Sequence, residues 1–147
     1  MSIEQYHDLT CNGLAAFLKE RINLRSTRDY SMTLVKSTRD YEAFNVSLTE
    51  YPVLQVFRRT DFFKAETPKL TTSIVAQYCL ALPEQENMAA LCHYVAKIIN
   101  RSLNDFKMGV LPITILRTER RAEYLQGVLK ANNMVVSALN FNFSIEE

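Results

Sequence analysis

The stretch Leu139-Asn140-Phe141-Asn142-Phe143-Ser144-Ile145 alternates large apolar side chains with small polar ones. Successive side chains of a β-strand point to opposite faces of a sheet, so this alternation predicts a strand with one packed face and one wet face. We expect this strand to run from residue 134 to residue 145. A strand of this kind requires a sheet around it and helices against its apolar face.

Apolar spacing along the rest of the chain predicts the other elements of this fold. The predicted helices cover residues 2–22, residues 88–103 with Asn87 as the N-cap, and a short segment at residues 119–130 after Thr118. The other predicted strands cover residues 53–57, 71–82 and 113–116. We expect the charged residues 58–61 to end the first of these strands, and Asn132-Asn133 to form a turn.

The order of these elements predicts an α+β fold. We expect a mostly antiparallel or mixed four-stranded sheet with two main helices packed on it. The chain has 147 residues, of which 48% are hydrophobic, and this predicts a single domain over residues 1–147. Between residues 23 and 50 the apolar pattern weakens, so an extended arm or hairpin insertion is expected after the first helix.

Composition argues against several classes of partner. The net charge is +1, from 17 basic and 16 acidic residues, so no overall field favours nucleic acid or an anionic membrane. No stretch approaches the roughly 20 apolar residues that cross a bilayer. We therefore expect no membrane partner and no sequence-specific nucleic-acid partner. The acidic N-terminal residues and the lack of a basic start before an apolar run predict a protein made in the cytoplasm.

Glycine and cysteine usage argue against a cofactor or a metal. The three glycines are isolated, whereas loops that bind phosphate need glycine where the backbone approaches the ligand. The three cysteines are odd in number and form no Cys-x-x-Cys pair, so reduced and buried thiols are expected. A metal held by His7 and Cys11, with Asp8 beside them, would lack enough ligands for a structural zinc site. The sequence predicts no cofactor and no metal.

No set of residues resembles a catalytic site. Cys92 and His93 are neighbours on a predicted helix, so their side chains point about 100° apart and do not suit a nucleophile and base pair. Cys92 is expected in the core and His93 on the surface. The pairs Asp40 with Glu42 and Glu84 with Glu86 are read as solvated loop residues. A small hydrolase or transferase is thus the least favoured class, and we expect no enzyme activity.

Two basic features remain as candidate contact sites. Arg117, Arg120 and Arg121 cluster with interspersed glutamates, which favours a solvated face or salt bridges between subunits over a nucleic-acid patch. The string Ser-Thr-Arg-Asp-Tyr occurs at residues 26–30 and again at residues 37–41. Arginine and tyrosine are favoured at interfaces, so the repeat predicts an interface, while two similar hairpin arms or coincidence are the alternatives. The candidate interface residues are Arg28, Asp29, Tyr30, Arg39, Asp40, Tyr41, Arg58 and Arg59.

The element order resembles that of the tail-terminator and neck proteins, the head–tail completion proteins, of long-tailed bacteriophages. The resemblance covers nearly the whole chain and is clearest at residues 51–57, Tyr-Pro-Val-Leu-Gln-Val-Phe, and at residues 139–143. It implies a non-enzymatic virion protein that forms a ring, usually a hexamer. Such a ring caps the last ring of the tail tube, ends tail polymerisation and docks the tail to the neck or connector.

The resemblance also implies where the protein acts and with what. Its partners would be further copies of itself, the tail tube or sheath, and the neck or connector protein. It would assemble in the cytoplasm of the host bacterium and remain in the virion. A cap of a contractile injection particle fits the same pattern. A non-viral cytoplasmic adaptor domain that binds a protein through a sheet edge is the alternative from another class.

Overall fold

Helices and strands make up most of the described chain. The computed structural model describes residues 8–39, 51–63, 66, 70–83, 87–107, 113–131 and 134–146. The π-helical turn Asp8–Asn12 leads into helix α1, Gly13–Tyr30, and the second helix, α2, is Met88–Leu103. The strands are β1 Ser37–Arg39, β2 Val53–Phe63, β3 Leu70–Pro83, β4 Thr114–Ile115, β5 Arg121–Ala131 and β6 Met134–Glu146.

The strands form one mixed sheet in which β3 and β6 are central. The order along the sheet is β1-β2-β3-β6-β4, and β5 also pairs with β6. All described pairings are antiparallel except that of β1 with β2. β3 pairs along the whole of β6 on one edge, while β5 and β4 follow each other along its other edge. The sequence predicted the central position of neither strand.

One face of the sheet packs against both helices. Alternation along the strands directs every second side chain to this face, and α1 and α2 contribute the apolar stripes that cover it. The strand and helix residues that are almost completely buried here include Leu54, Ile74, Tyr78, Leu139, Phe143, Leu18, Ile22, Val95 and Ile99. The α+β class and the two packed helices are thus confirmed, and the described residues form a six-stranded sheet where four strands were predicted.

Helix α1 is longer than the sequence pattern indicated. It continues to Tyr30, so residues 23–30 are helical and the predicted arm at residues 23–50 is wrong for that part. The pattern weakens because polar residues on the inner side hold the returning chain. The Asn23 amide donates to the Val35 carbonyl over 2.9 Å and accepts from the Val35 N–H over 2.8 Å. Ser26 is fully buried and donates to the Met32 carbonyl over 2.6 Å.

A left-handed residue ends α1. Ser31 has φ 55° and ψ 36°, and its N–H bonds to the Thr27 carbonyl while the Met32 N–H bonds to the Ser26 carbonyl. This is the hydrogen-bond pattern that closes many helices. The rest of the predicted arm contains the short parallel strand β1, and residues 40–50 lie outside the described residues.

Two strands extend beyond the predictions. The charged residues 58–61 do not end β2, which continues to Phe63 with a bulge at Arg59 where the register shifts. Residues 119–130 were predicted as a short helix, but β5 occupies Arg121–Ala131. The open edge of β6 supplies backbone partners along this segment, and this tertiary pairing outweighs a sequence rich in helix-forming residues. Asn132-Asn133, the predicted turn, lies outside the described residues.

The second face of the sheet is buried as well, and a row of amide side chains crosses it. The Gln55 Nε2 donates to the Gln77 Oε1, and the Gln77 Nε2 donates to the Asn140 Oδ1, each over 2.8 Å. Gln55 and Gln77 are 0% exposed and Asn140 is nearly buried. We call these three residues the amide ladder. The sequence predicted water on this face, and that prediction is wrong at the ladder.

Among the described residues, neither helix combines the length and apolar character that crossing a membrane requires.

Candidate assembly surfaces and an arginine-lined cleft

Part of the predicted interface lies at the C-terminal end of α1. Arg28 Nε contacts Asp29 Oδ1 over 3.2 Å, and the Tyr94 hydroxyl on α2 donates to Asp29 Oδ2 over 2.8 Å. Tyr30 packs edge-on against Tyr94, with 5.3 Å between ring centroids. These contacts tie the two helices together. Exposed Leu24 lies one helical turn before Arg28, and we call Leu24, Arg28, Asp29, Tyr30 and Tyr94 the helix-end surface.

Charge and burial perturb two groups of this surface. The hydrogen bond from Tyr94 and then the Arg28 side chain hold the pKa of Asp29 below its ordinary value. Desolvation, followed by the bond to Asp29, raises the pKa of Tyr94 to about 12. The pair therefore consists of a carboxylate and a neutral phenol at neutral pH, which is a stable donor and acceptor arrangement.

The repeated string does not form two similar arms. Its first copy, residues 26–30, is the last part of α1, whereas the first three residues of its second copy form β1. Arg39 lies opposite Gln55 in the parallel pairing of β1 with β2. Asp40 and Tyr41 lie outside the described residues. The structure thus places the described part of the repeat in a helix and in a strand, and the interpretation as paired hairpin arms is wrong.

Arg58 and Arg59 lie in the outer half of β2. Arg58 is half-buried, and Arg59 is exposed at the bulge. The strand then ends in Phe62 and Phe63, which are 53% and 81% exposed. We call Phe62 and Phe63 the β2-end patch. Large aromatic side chains at this exposure are typical of surfaces that bind another protein.

A second exposed apolar group lies on the other side of the sheet, in β5. Tyr124 is 43% exposed and Leu125 is 38% exposed. The Tyr124 hydroxyl lies 3.3 Å from Nδ1 of His93 on α2, so the two elements meet at this point. We call Tyr124 and Leu125 the β5 patch. Among the described residues, β5 pairs only with β6, so its outer backbone edge has no described strand beside it.

A polar cleft of about 560 Å³ crosses the sheet near the end of β6. Its charged lining consists of Arg59, Arg120 and Arg121 with one carboxylate, Glu119. Phe62, Ser73, Asn142, Phe143 and Ser144 complete the lining. The arginines predicted to cluster near residue 120 therefore meet Arg59 of the predicted interface, and the sequence did not indicate that these two sets would share a cleft.

Arg120 is held in place by the end of α2. Its Nη1 donates to the carbonyl and side-chain oxygens of Asn100 and to Asn104 Oδ1, over 2.9 to 3.1 Å. Its Nε donates to the Leu116 carbonyl over 3.1 Å. Burial, and secondarily the charge of Arg117, lowers the pKa of Arg120. Arg120 is thus a structural cross-link between the end of α2 and the segment that precedes β5, a role that the sequence did not indicate.

Cys92 and His93 occupy the positions predicted for them. Cys92 is buried and His93 is exposed against Tyr124. Burial raises the pKa of the Cys92 thiol to about 11, so it is protonated at neutral pH. Cys11, Cys79 and Cys92 are all buried. Within the described part of the chain, no three His, Cys, Asp or Glu residues are grouped as metal ligands would be. His7 lies outside that part.

Comparison with known proteins gives no family assignment: no family model and no curated protein matches this sequence.

Proposed function

We propose that this chain is a structural virion protein, the tail terminator of a bacteriophage. It forms a hexameric ring that caps the tail tube, stops tail polymerisation and docks the tail to the neck or connector. It acts by assembly and carries out no catalytic step. The resemblance in element order and the α+β architecture with helices on one face support this proposal.

The observation that carries the proposal is the presence of two separate exposed apolar patches, one at the end of β2 and one in β5. The β2-end patch and the β5 patch flank the central strands β3 and β6. A cyclic ring is built from heterologous contacts, in which one surface of each subunit meets a different surface of the next. In the ring that we propose, Phe63 of one subunit packs against Leu125 of its neighbour, and Arg58 and Arg59 lie at the border of this contact.

The helix-end surface is a third exposed area and serves a different partner in this proposal. Tyr30 is 60% exposed at the end of α1, two residues after Arg28. Arginine and tyrosine are the side chains that most often dominate binding energy at interfaces. We assign this surface to the tail tube or to the connector, because the ring contacts are already supplied by the β2-end patch and the β5 patch.

Light scattering after size-exclusion chromatography tests the ring. The unmodified chain is expected to form a closed oligomer, and Phe63→Arg or Leu125→Arg should each reduce it to a monomer. Each variant keeps one intact patch, so mixing the two should restore a single contact and give a heterodimer. Leu24→Arg is the matched control, because it adds the same charge at an exposed leucine outside both patches, and it should leave the ring intact.

The same experiment can contradict the proposal. A chain that stays monomeric at high concentration and never joins purified tail tubes would rule out a tail terminator. A ring that survives both arginine variants would show that the contacts lie elsewhere. If the mixed variants gave no heterodimer, the two patches would not be partners of each other.

An adaptor domain that binds a protein through a sheet edge is the second candidate, and the outer edge of β5 favours it. An extended peptide can add to such an edge by backbone hydrogen bonds. A peptide partner would protect β5 amides from hydrogen exchange in a monomeric protein, whereas ring assembly would protect them only in the oligomer. Protection in the isolated monomer upon peptide addition would therefore favour the adaptor.

A further inference from the structure

The cleft near the end of β6 combines several cationic side chains with an open volume. Arg59 comes from the bulge of β2, while Arg120 and Arg121 come from the start of β5. Among the described residues, the lining holds these three arginines and the carboxylate of Glu119, which leaves two positive charges in excess. A concave site with charge of one sign concentrates ligands of the opposite sign. Arg59 borders the ring contact proposed above, but that contact gives Arg120 and Arg121 no function.

Arg121 can turn toward a ligand at small cost. Its Nε contacts Glu123 Oε1 over 2.9 Å, and both side chains are largely exposed. Exposed ion pairs contribute little to stability, because water screens them and both side chains lose freedom. Glu123 is also contacted by the Asn142 amide, which lines the cleft. An anion bound in the cleft can therefore accept hydrogen bonds from the Arg121 guanidinium in place of Glu123. Glu123 then retains its hydrogen bond from the Asn142 amide.

Arg120 supplies a fixed charge in the lining. Four acceptors from Leu116, Asn100 and Asn104 hold its Nε and Nη1, while its buried Nη2 has no hydrogen-bond partner in the described structure. Glu119, immediately before it, has φ 61°, which non-glycine residues rarely adopt. Strained backbone of this kind is found preferentially at functional sites. The arrangement holds an uncompensated cation next to a cleft.

Hydroxyl groups add neutral donors to the floor of the cleft. Ser73 and Ser144 are directly opposite each other in the pairing of β3 with β6, so both side chains point to the same face. They lie on the face that carries the amide ladder, closer to the end of the sheet. Two hydroxyls and three guanidinium groups offer more donors than a single carboxylate can accept.

We propose that this cleft binds a phosphate group of a small organic phosphate. A phosphate monoester carries about two negative charges near neutral pH and three strong acceptor oxygens, which matches the excess charge and the donors of the lining. Arginine suits this ligand because its planar donors bind phosphate oxygens in pairs. The cleft is large enough for a whole nucleotide-sized molecule.

The same phosphate chemistry is present in a nucleic-acid backbone, but the charge distribution favours a small molecule. The chain carries a net charge of only +1, and a nucleic-acid surface needs a larger unbalanced field. The cationic side chains converge on one cleft, whereas a strand of nucleic acid would need them along a groove. A small phosphate needs only the local cluster.

Nuclear magnetic resonance titration of the full-length chain tests the site. Orthophosphate, adenosine monophosphate, acetate and a short single-stranded oligodeoxynucleotide are added separately at constant ionic strength. Both phosphates are expected to shift the amide signals of Ser73 and Ser144 in a saturable manner. Arg59→Gln and Arg121→Gln should each weaken phosphate binding about tenfold, the loss expected for one charge-assisted contact.

Arg101→Gln is the control, because it removes an equally exposed arginine outside the cleft and should leave binding unchanged. Absence of saturable shifts, equal binding of acetate, or equal weakening by Arg101→Gln would overturn the proposal. Binding of the oligodeoxynucleotide more than about tenfold tighter than adenosine monophosphate would assign the site to nucleic acid instead. Arg121 lies outside the proposed ring contact, so the titration of Arg121→Gln distinguishes failure of this site from failure of the ring.

Discussion

The Gln77 side chain donates from Nε2 to the Asn140 Oδ1 over 2.8 Å, and the two residues are directly opposite each other in the pairing of β3 with β6. Gln77 also accepts from Gln55 of β2, its partner on the other side. Shifting either pairing by one residue would move an amide to the apolar face of the sheet. The amide ladder therefore specifies the register of β2, β3 and β6, the central strands of the sheet.

Replacing the middle residue of the ladder should destabilise the protein strongly. Gln77→Leu keeps the side-chain size but leaves the Gln55 donor and the Asn140 acceptor buried with their ladder bonds lost. Losing two buried hydrogen bonds and leaving the Asn140 oxygen without its ladder donor should lower the free energy of unfolding by about 3 kcal/mol. Urea denaturation followed by circular dichroism measures it.

A double-mutant cycle separates the ladder from general packing. Asn140→Leu alone leaves the Gln77 donor unpaired, but Gln77→Leu with Asn140→Leu removes both partners. The free energy of unfolding should fall less in the double variant than in the two single variants added together. The expected difference is about 1 kcal/mol or more. Strict additivity would mean that the two amides do not stabilise each other.

Asn23 should matter more than a polar helix residue usually does. It makes two hydrogen bonds to the backbone of Val35, and Val35 is buried. Asn23→Ala should lower the free energy of unfolding by about 2 kcal/mol, because the buried N–H and carbonyl of Val35 lose their hydrogen-bond partner. It should also speed hydrogen exchange at the Val35 amide. Thr27→Ala is the control on the exposed side of α1, and exchange at Val35 should not change with it.

The contact between Asp29 and Tyr94 predicts a defined pH dependence. The folded-state pKa of Asp29 is lowered, so its contribution to stability is present above its ordinary pKa and is lost as pH falls through the folded value. Tyr94→Phe removes the largest cause, so the pKa of Asp29 should rise toward its ordinary value. A carboxyl titration followed by nuclear magnetic resonance measures this shift.

The raised pKa of Tyr94 predicts a second pH dependence, a loss of stability at high pH. Its folded pKa of about 12 exceeds the ordinary 10.0, so its contribution is present below pH 10.0 and is lost as pH rises toward about 12. Tyr124→Phe is a suitable control, because its hydroxyl contacts His93 and not Asp29. An Asp29 pKa that moves equally in both variants would contradict the assignment to Tyr94.

Arg120 should not tolerate lysine. A lysine ammonium cannot reach Asn100, Asn104 and Leu116 with the fork geometry of a guanidinium. Arg120→Lys should therefore lower the free energy of unfolding by about 2 kcal/mol, whereas Arg117→Lys, at an exposed arginine, should change it by less than about 0.5 kcal/mol. Thermal denaturation of the two variants measures this difference. Similar losses of stability in both would mean that Arg120 does not stabilise the fold through its specific hydrogen bonds.

Periodic spacing of apolar residues correctly predicted the elements that bury one regular apolar face in the core. β6 and α2 have strong alternation or a clear apolar stripe, and both were predicted within a residue or two. The end of α1 could not be read in the same way, because Asn23 and Ser26 are polar and yet face inward to bind the returning backbone. β5 was missed because its local sequence favours a helix, and only the unpaired edge of β6 makes it a strand.

The sites were less accessible to sequence reasoning than the fold. The repeated string was predicted as an interface from its arginine and tyrosine content alone. Composition could not show that the first copy ends a helix while the second begins a strand. The cleft joins Arg59 to Arg120 and Arg121 through the pairing of β2, β3, β6 and β5, which no local pattern shows. The sequence signal available for the cleft was the alternation of Asn142 and Ser144 with large apolar residues. It indicated only that one face of β6 is polar.

The most direct test of the proposed function is electron microscopy of purified tail tubes mixed with this protein. A tail terminator should form a ring at one end of each tube and arrest further tube growth. Phe63→Arg should abolish both effects. Leu24→Arg should still form the ring but should cap tubes poorly, because it alters the helix-end surface. Tubes that remain uncapped and continue to grow in the presence of the unmodified protein would contradict the account.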